Sequence, residues 1–316
     1  MKKKISIFAI LTCVVAAVIY FINKVIYYLS TIDNLLSTSN ENYYNWRYGR
    51  IYYKKQGDGT PLLLIHDLNA HSSAYEWKKA AQVLAEKHRV YTIDLPGCGR
   101  SEKPNITYTN FLYVQMLNDF IKHVIGEKTD IIATGESASF VIMANCIQSD
   151  NIGKIVMVNP SSLTELAKIP TKRTKTLKFI IQLPLIGTLL FNILEAKNII
   201  EETFEEKYYF DKEKIEEKTI KTYCEAAHAD KMHSKYLFAS IKGRYTKANI
   251  LQCITKLTNS IYIVYGEADP TNIETAKQYK KTAPAIETIA IPNTKFLPHM
   301  EATEEFINII DIFLDE

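Results

Sequence analysis

Short apolar segments alternate with amphipathic ones from residue 50 onward, which restricts the chain to few folds. Strands are predicted at Arg50–Lys54, Pro61–Ile65, Val90–Ile93, Asp130–Ala133, Lys154–Val158, Ile261–Val264 and Glu287–Ile291. Helical patterns lie between them at Ala74–Glu86, Thr109–Ile125, Ala138–Ile147, Asn272–Lys281 and Glu304–Leu314. Apolar strands separated by helices of about 10–15 residues are typical of a parallel sheet covered on both faces. The sequence therefore predicts an α/β fold with a mostly parallel sheet.

The alternation stops after Asn159-Pro160 and resumes near residue 258. The stretch between them, 161–257, shows helical patterns only and is rich in Lys and Glu. A strand pattern that stops and later resumes indicates an insertion in a single sheet. We therefore expect a core formed by 50–160 and 258–316, interrupted by a helical insertion at 161–257.

The N-terminal end carries an uncharged apolar run from Ile5 to Ile22, directly after three lysines. Eighteen such residues are just enough to cross a bilayer as a helix. The alternative is a cleaved signal peptide, whose apolar region usually spans about 7–15 residues and ends at a small-residue site. This run is longer, and bulky residues follow Ala16 and Ala17. We expect an uncleaved membrane anchor at 1–24 and a juxtamembrane linker at 25–49.

The basic cluster Lys2-Lys3-Lys4 lies on the short side of the anchor. Such clusters favour the cytoplasmic side of a membrane. We therefore expect a single-pass protein of the cell membrane, anchored through residues 5–22, with a cytoplasmic N-terminus and an extracytoplasmic folded domain.

The net charge of +3 comes from this N-terminal end, since the first 24 residues hold four basic residues and no acidic one. The rest of the chain is close to neutral, which argues against a nucleic-acid partner. The five cysteines are scattered and form no Cys-x-x-Cys motif. His66 and His71 lack a third ligand at a useful spacing, so no metal site is predicted.

The strongest chemical motif is Gly135-Glu136-Ser137-Ala138-Ser139, between a predicted strand and a predicted helix. A G-x-S-x-G motif at such a junction is typical of a nucleophile elbow, in which a tight turn exposes the serine above the sheet. The last position is Ser139 rather than glycine, although serine is also small. The alternative is a serine that only caps the helix.

Three further motifs appear in a particular order around this one. They are Leu62–Leu68 at the end of a strand, Asp94–Ser101 after the next strand, and Tyr262–Pro270 near the C-terminal end. With this order of motifs, residues 50–316 resemble the α/β-hydrolase family, of the kind with a helical lid.

The resemblance implies that Ser137 is the nucleophile and that the N–H groups of Leu68 and Ala138 form the oxyanion hole. Asp269 would orient the catalytic histidine, because Asn159 stands at the other position where such proteins place the acid. The insertion at 161–257 would be the lid that shapes the substrate pocket, and no cofactor is implied.

Two positions depart from the family pattern. Asp67 follows His66 where the family usually has glycine, and its carboxylate could repel negative charge that develops in the site. Counting back from Glu301, Phe296 stands where the catalytic histidine usually lies, and His299 matches a second histidine that many relatives carry. A phenyl ring cannot accept a proton, so a serine without another base would be a weak nucleophile.

Three explanations remain open for the missing histidine. His299 could reach the serine through a different loop path, since an offset of three residues moves a side chain by up to about 10 Å. The base could instead be lost, leaving a domain that binds rather than cleaves. Another histidine, or Asp67 with His71, could also rebuild the site.

One insertion segment, Phe179–Leu194, contains sixteen residues without a charge. It is short for a second membrane crossing and is interrupted by Pro184 and Gly187. We expect two short lid helices that roof an apolar pocket, and hence a hydrophobic substrate.

The sequence thus predicts a membrane-tethered serine hydrolase that cleaves an ester or similar acyl bond of a small hydrophobic molecule. Ser137 attacks, His299 is the candidate base and Asp269 orients it. The alternative is a catalytically impaired family member that binds a hydrophobic ligand or a partner protein. The sequence makes no prediction about the oligomeric state.

Overall fold

The centre of the protein is an eight-stranded sheet in the order β1-β2-β4-β3-β5-β6-β7-β8, in a computed structural model that describes residues 2–38 and 42–315. The strands are β1 (Asn42–Trp46), β2 (Gly49–Gln56), β3 (Thr60–Ile65), β4 (His88–Ile93), β5 (Thr129–Thr134), β6 (Ile152–Val158), β7 (Ile261–Gly266) and β8 (Glu287–Ile291). β2 pairs antiparallel with both β1 and β4, and all other pairs are parallel. The predicted mostly parallel α/β fold is confirmed.

Helices cover both faces of the sheet and form the insertion. They are α1 (Lys2–Thr31), α2 (Lys78–Leu84), α3 (Asn110–Phe120), α4 (Ser137–Ile147), α5 (Leu163–Leu166), α6 (Lys172–Gln182), α7 (Ile186–Leu194), α8 (Lys197–Thr203), α9 (Glu217–Met232), α10 (Ser234–Lys242), α11 (Leu251–Ile254), α12 (Pro270–Thr282), α13 (Pro298–Glu301) and α14 (Thr303–Asp315). A π-helical turn, Phe204–Tyr208, follows α8. Helices α5 to α11 occupy the segment expected to be the lid.

The two faces of the sheet bury separate apolar clusters. Along β3, Leu63 and Ile65 belong to the cluster beneath α3 and α4, whereas Leu62 and Leu64 belong to the cluster beneath α2 and α14. Successive strand residues point to opposite faces, so a strand buried on both sides needs a continuous apolar run. This requirement explains the uninterrupted apolar sequence of β3.

The segment that we expected to be a linker, 25–49, contributes strand β1 to the edge of the sheet. Trp46 is buried at its end, and its Nε1 donates a hydrogen bond of 2.8 Å to Asp119 Oδ2 on α3. Residues 39–41 of the expected linker lie outside the described residues, as do Met1, Glu316 and the side chains of residues 2–6.

Helix α1 is continuous, and its segment Ile7–Thr31, 25 residues long, is apolar and long enough to cross a membrane. A signal sequence near the N-terminus meets the same criterion. The C-terminal part of α1 packs against α7 and α9 of the insertion. Asn23 is buried at this contact, where its Nδ2 donates to Leu185 O at 3.1 Å and its Oδ1 accepts from Asn192 Nδ2 at 2.9 Å.

The loop after β4 is fixed by a buried ion pair between Asp94 and Arg100. Arg100 Nε lies 2.7 Å from Asp94 Oδ2, and Asp94 Oδ1 also accepts a hydrogen bond of 2.6 Å from Ala74 N. Burial disfavours the ionised carboxyl, yet Arg100 beside it holds the pKa of Asp94 below its usual value. Asp94 thereby joins the loop after β4 to the loop after β3.

We predict that Asp94→Ala strongly destabilises the protein, because the mostly buried guanidinium of Arg100 would lose its partner. Such a loss costs about 3–5 kcal/mol. The control is Glu102→Ala, which breaks the exposed ion pair with Arg50 and should cost no more than about 1 kcal/mol. Thermal unfolding of the full chain in detergent measures both, and equal losses would contradict the prediction.

Candidate active site

The carboxyl ends of the parallel strands bring four loops together at one edge of the sheet. They carry His66–Leu68 after β3, Gly135–Ser137 after β5, Asn159 after β6 and Phe296 after β8. Ligand sites of open α/β sheets lie at this edge. The predicted catalytic residues are therefore expected at this edge.

The sharp turn between β5 and α4 has its apex at Gly135. This residue has a φ of +58°, whereas Glu136 is already helical, with φ −66° and ψ −29°. A Cβ placed on Gly135 would lie 2.1 Å from Asp67 Oδ1 and 2.9 Å from Phe296 Cζ. The residue at the apex of the turn, from which a side chain would point into the site, is thus a glycine. It lies two positions before Ser137, the predicted nucleophile.

Ser137 lies in the first turn of α4 and is fully buried. Its Oγ donates a hydrogen bond of 2.7 Å to the backbone oxygen of His66. A carbonyl oxygen holds the hydroxyl in place but cannot take its proton, so this contact does not activate a nucleophile. The observed role of the hydroxyl is to fasten α4 to the end of β3.

The carboxylate of Asp67 lies beside Gly135, at the apex of the turn between β5 and α4. Its Oδ1 accepts a hydrogen bond of 3.0 Å from the N–H of Glu136, the residue that follows the apex. In a nucleophile elbow this N–H would stabilise an oxyanion. Leu68 and Ala138, the predicted oxyanion-hole residues, are both buried in the apolar cluster beneath α3 and α4.

The environment of Asp67 is unfavourable for a negative charge. Burial and, secondarily, the nearby carboxylate of Glu76 raise the pKa of Asp67 to about 7. Glu76 is itself buried, and its Oε2 accepts a hydrogen bond of 3.2 Å from the Asp67 N–H. The protein thus holds two carboxyl groups close together at this edge.

Phe296 stacks against Tyr208 of the insertion, with ring centroids 5.3 Å apart. Asn159 braces the same loop, since its Nδ2 donates to the backbone oxygens of Lys295 and Phe296 at 2.9 Å each. Tyr208 belongs to an aromatic cluster of the insertion that also holds Phe204 and Tyr223. An apolar ring therefore occupies the position that the resemblance assigns to the catalytic histidine, and the insertion packs on it.

His299 lies in a different environment, on the short helix α13. Its ring stacks on Trp77 with centroids 4.1 Å apart, and its Nε2 lies 3.2 Å from Glu76 Oε1. Asp269 caps α12, where its Oδ1 accepts a hydrogen bond of 2.8 Å from Thr271 N. Within the described residues, no hydrogen bond or ion pair joins Ser137, His299 and Asp269, so the structure does not bring the predicted triad together.

A buried polar chain that the motifs did not indicate lies nearby. His71 Nδ1 is 2.7 Å from Glu195 Oε2, and His71 Nε2 is 3.1 Å from the hydroxyl of Tyr208. Burial raises the pKa of Tyr208 well above its usual value. His71 and Glu195 are 124 positions apart in the chain, so no local pattern could have paired them.

Space for a ligand lies beside the segment that follows α1. One cleft of about 310 Å³ and another of about 640 Å³ share Leu36, Ser37 and Arg100 in their linings. Neither is lined by Gly135 or Ser137. In the described part of the chain, no group of three or more His, Cys, Asp or Glu side chains is placed to hold a metal ion.

The sheet order, the helices on both faces and the helical insertion define the class of α/β protein to which this fold belongs. Residues 62–309, more than half of the chain, match the model of the alpha/beta hydrolase family. The chain therefore belongs to this family.

Two curated relatives are hydrolases. The 2-hydroxy-6-oxo-6-(2'-aminophenyl)hexa-2,4-dienoic acid hydrolase of Metapseudomonas resinovorans is 28% identical over 113 residues, which cover 35% of this chain and 39% of that protein. The soluble epoxide hydrolase of Corynebacterium sp. (strain C12) is 32% identical over 83 residues, covering 26% of this chain and 28% of the enzyme. The matched region thus spans less than half of either relative.

Solved structures agree in fold over a larger part of the chain. A serine hydrolase involved in carbazole degradation superposes with a TM-score of 0.71 at 19% identity, covering 87% of this chain and 98% of that one. An esterase from Thermogutta terrifontis gives a TM-score of 0.70 at 15% identity, covering 88% and 98%. At these identities the likeness establishes the fold alone.

We predict that Gly135→Ala destabilises the protein more than Gly126→Ala does. Both glycines have positive φ, +58° and +74°, which costs about 1–2 kcal/mol for a residue with a Cβ. Only at Gly135 does the new Cβ meet Asp67 Oδ1, since nothing lies within 4 Å at Gly126. We expect an excess loss of roughly 1–3 kcal/mol. Thermal unfolding in detergent measures this excess, and its absence would mean that the turn has room for a side chain.

We predict that Asp67→Asn stabilises the protein more at high pH than at low pH. A carboxyl whose folded pKa is raised from 3.8 to about 7 opposes folding increasingly as pH rises through this window. Asparagine keeps the oxygen that accepts from Glu136 N but cannot ionise. Between about pH 5 and about pH 8.5, the gain over wild type should grow by roughly 2–3 kcal/mol in unfolding free energy. Asp58→Asn, at an exposed turn, is the control, and an equal gain there would contradict the prediction.

Proposed function

We propose that this chain is a membrane-tethered member of the alpha/beta hydrolase family that binds a ligand or partner and does not cleave an ester through a serine. The tether is α1, whose uncharged run Ile5–Ile22 lies in a helix that is long and apolar enough to span a bilayer. The N-terminal lysines favour a cytoplasmic N-terminus and a folded domain on the other side of the membrane.

The observation that carries this proposal is the glycine at the apex of the turn. Covalent catalysis on this fold needs a nucleophilic side chain at the strained strand-to-helix position. Gly135 has none, and Asp67 and Phe296 lie where a side chain would have to fit. The carboxylate of Asp67 also binds the N–H of Glu136, so an oxyanion would have to displace a group of its own charge.

The surroundings of the predicted base support the same conclusion. A general base must lie within hydrogen-bond reach of the proton that it removes. His299 is stacked on Trp77 next to Glu76, and Ser137 donates to the His66 carbonyl. Both side chains are therefore already engaged in contacts that hold the fold together.

A binding role also agrees with where the protein has open space. The clefts lined by Leu36, Ser37 and Arg100 are bounded by the segment that follows α1, by the sheet core and by α9 of the insertion. A ligand or partner there would contact the core close to the tether.

Hydrolysis of a hydrophobic ester through Ser137, His299 and Asp269 is the second candidate. It is favoured by two curated relatives that are hydrolases. It would require Ser137 Oγ to leave the His66 carbonyl and His299 to leave Trp77.

A fluorophosphonate probe on the detergent-solubilised full chain separates the two candidates. We expect no labelling of wild type, because Ser137 Oγ is buried and bound to a carbonyl. The combined variant Gly135→Ser/Asp67→Gly/Phe296→His places a serine at the apex, clears the space in front of it and supplies an imidazole. We expect labelling to appear in this variant if it retains a thermal unfolding transition.

Labelling of wild type that Ser137→Ala abolishes would overturn the binding proposal and establish the second candidate. His299→Ala would then identify the base, since labelling should fall with it only if His299 accepts the proton. Trp46→Phe, outside the site, controls for general loss of fold, and its unfolding temperature is recorded beside that of each variant.

A further inference from the structure

We infer that the bend between α6 and α7 is a second membrane-contact element, which lies in the interfacial layer of the bilayer beside α1. The angle between α6 and the helical stretch Ile186–Tyr208, which begins with α7, is 105°. This inference rests on the proposed tether, and it adds that the lid itself touches lipid.

The two helices carry apolar side chains on their outer sides as well as on their inner ones. Ile181 and Phe191 are fully buried against α9 and α10 residues of the insertion. Phe179, Ile186 and Ile193 are 64%, 58% and 57% exposed. Large apolar side chains grouped on one surface are typical of a protein or membrane contact.

The position of α7 along α1 favours a membrane contact over a protein contact. Asn23, which binds Leu185 O and Asn192, directly follows Ile22, the last residue of the uncharged run. A helix rises about 1.5 Å per residue, so the contact lies at the level where the apolar run ends. The α6–α7 bend is therefore held at the boundary of the expected bilayer.

The buried face of α1 extends further into the apolar run. Ala16 and Ile19 are half-buried and lie on the same helical face as Asn23 and Tyr27. Tyr27 packs against the apolar cluster that holds Ile181 and Phe191. The face of α1 that carries Asn23 and Tyr27 is therefore partly covered within the apolar run as well.

The charge of the segment fits a lipid surface. From Leu166 to Leu194 the sequence holds no acidic residue, and its five basic residues precede the apolar stretch. They are Lys168, Lys172, Arg173, Lys175 and Lys178. A basic segment followed by apolar side chains is typical of a helix that lies in the membrane interface, where each cation near an anionic surface contributes about 1 kcal/mol.

A second crossing of the bilayer does not fit the same observations. A straight span needs about 20 apolar residues, whereas α6 has 11 residues, four of them basic, and the uncharged part of the stretch Ile186–Tyr208 ends at Leu194. Lys235 also binds the bend from the protein side, with its Nζ 2.9 Å from Thr188 Oγ1. One side of the bend therefore faces protein, and its other side is available to lipid.

Lipid photo-crosslinking on the full chain in vesicles of phosphatidylcholine and phosphatidylglycerol tests this inference. The photoreactive residue p-benzoylphenylalanine is placed at position 186 on the bend, at position 14 on the tether or at position 312 on α14. Ile312 is the matched control, because it is an isoleucine of similar exposure, 60% against 58%. We expect lipid adducts at positions 14 and 186 and background at 312.

The outcomes separate the inference from the tether. Adducts at 14 without adducts at 186 would overturn the lid contact and leave the tether intact. Background at 14 would mean that the tether has failed, and background at both positions overturns the lid contact as well. We also expect the double variant Lys172→Glu/Lys175→Glu to lower the yield at 186 by about fivefold relative to position 14. An unchanged ratio, with a retained unfolding transition, would contradict the electrostatic part of the inference.

Discussion

The hydrogen bond from the Glu136 N–H to the Asp67 carboxylate holds the functional edge of this protein in its observed form. It exists because Gly135 has no side chain at the apex of the turn, where a Cβ would lie 2.1 Å from Asp67 Oδ1. With this space free, the loop after β3 closes on α4, and Phe296 with the aromatic residues of the insertion packs against it. A carboxyl group with its pKa raised to about 7 is the electrostatic consequence of this closure.

The fold was predictable because its signals are local. Apolar runs such as Leu62–Ile65 and the helical periodicity between them identify a parallel sheet without any knowledge of long-range contacts. Strand β1 was not predicted, because it has no such local signal. It is a single edge strand of aromatic and polar residues, and its register depends on pairing with β2 rather than on its own pattern.

The site was harder to predict, because the G-x-S-x-G motif, which needs a small residue at every second position, can be placed on this sequence in two ways. Small residues stand at Gly135, Ser137 and Ser139, but also at Ala133, Gly135 and Ser137. Which of them occupies the apex depends on where α4 begins, and the motif does not determine this. The departure at Phe296 was visible in the sequence, whereas the His71–Glu195 contact joins the core to a distant part of the insertion.

The end of α1 carries a consequence for how far the folded domain can move. Glu225 on α9 accepts the N–H groups of Leu35 and Leu36 at 2.6 and 3.1 Å, so the chain is fastened to the lid within a few residues of the helix end. A domain held this way can move very little relative to α1. With α1 in the membrane, as proposed, the folded domain would keep a nearly constant orientation relative to the bilayer.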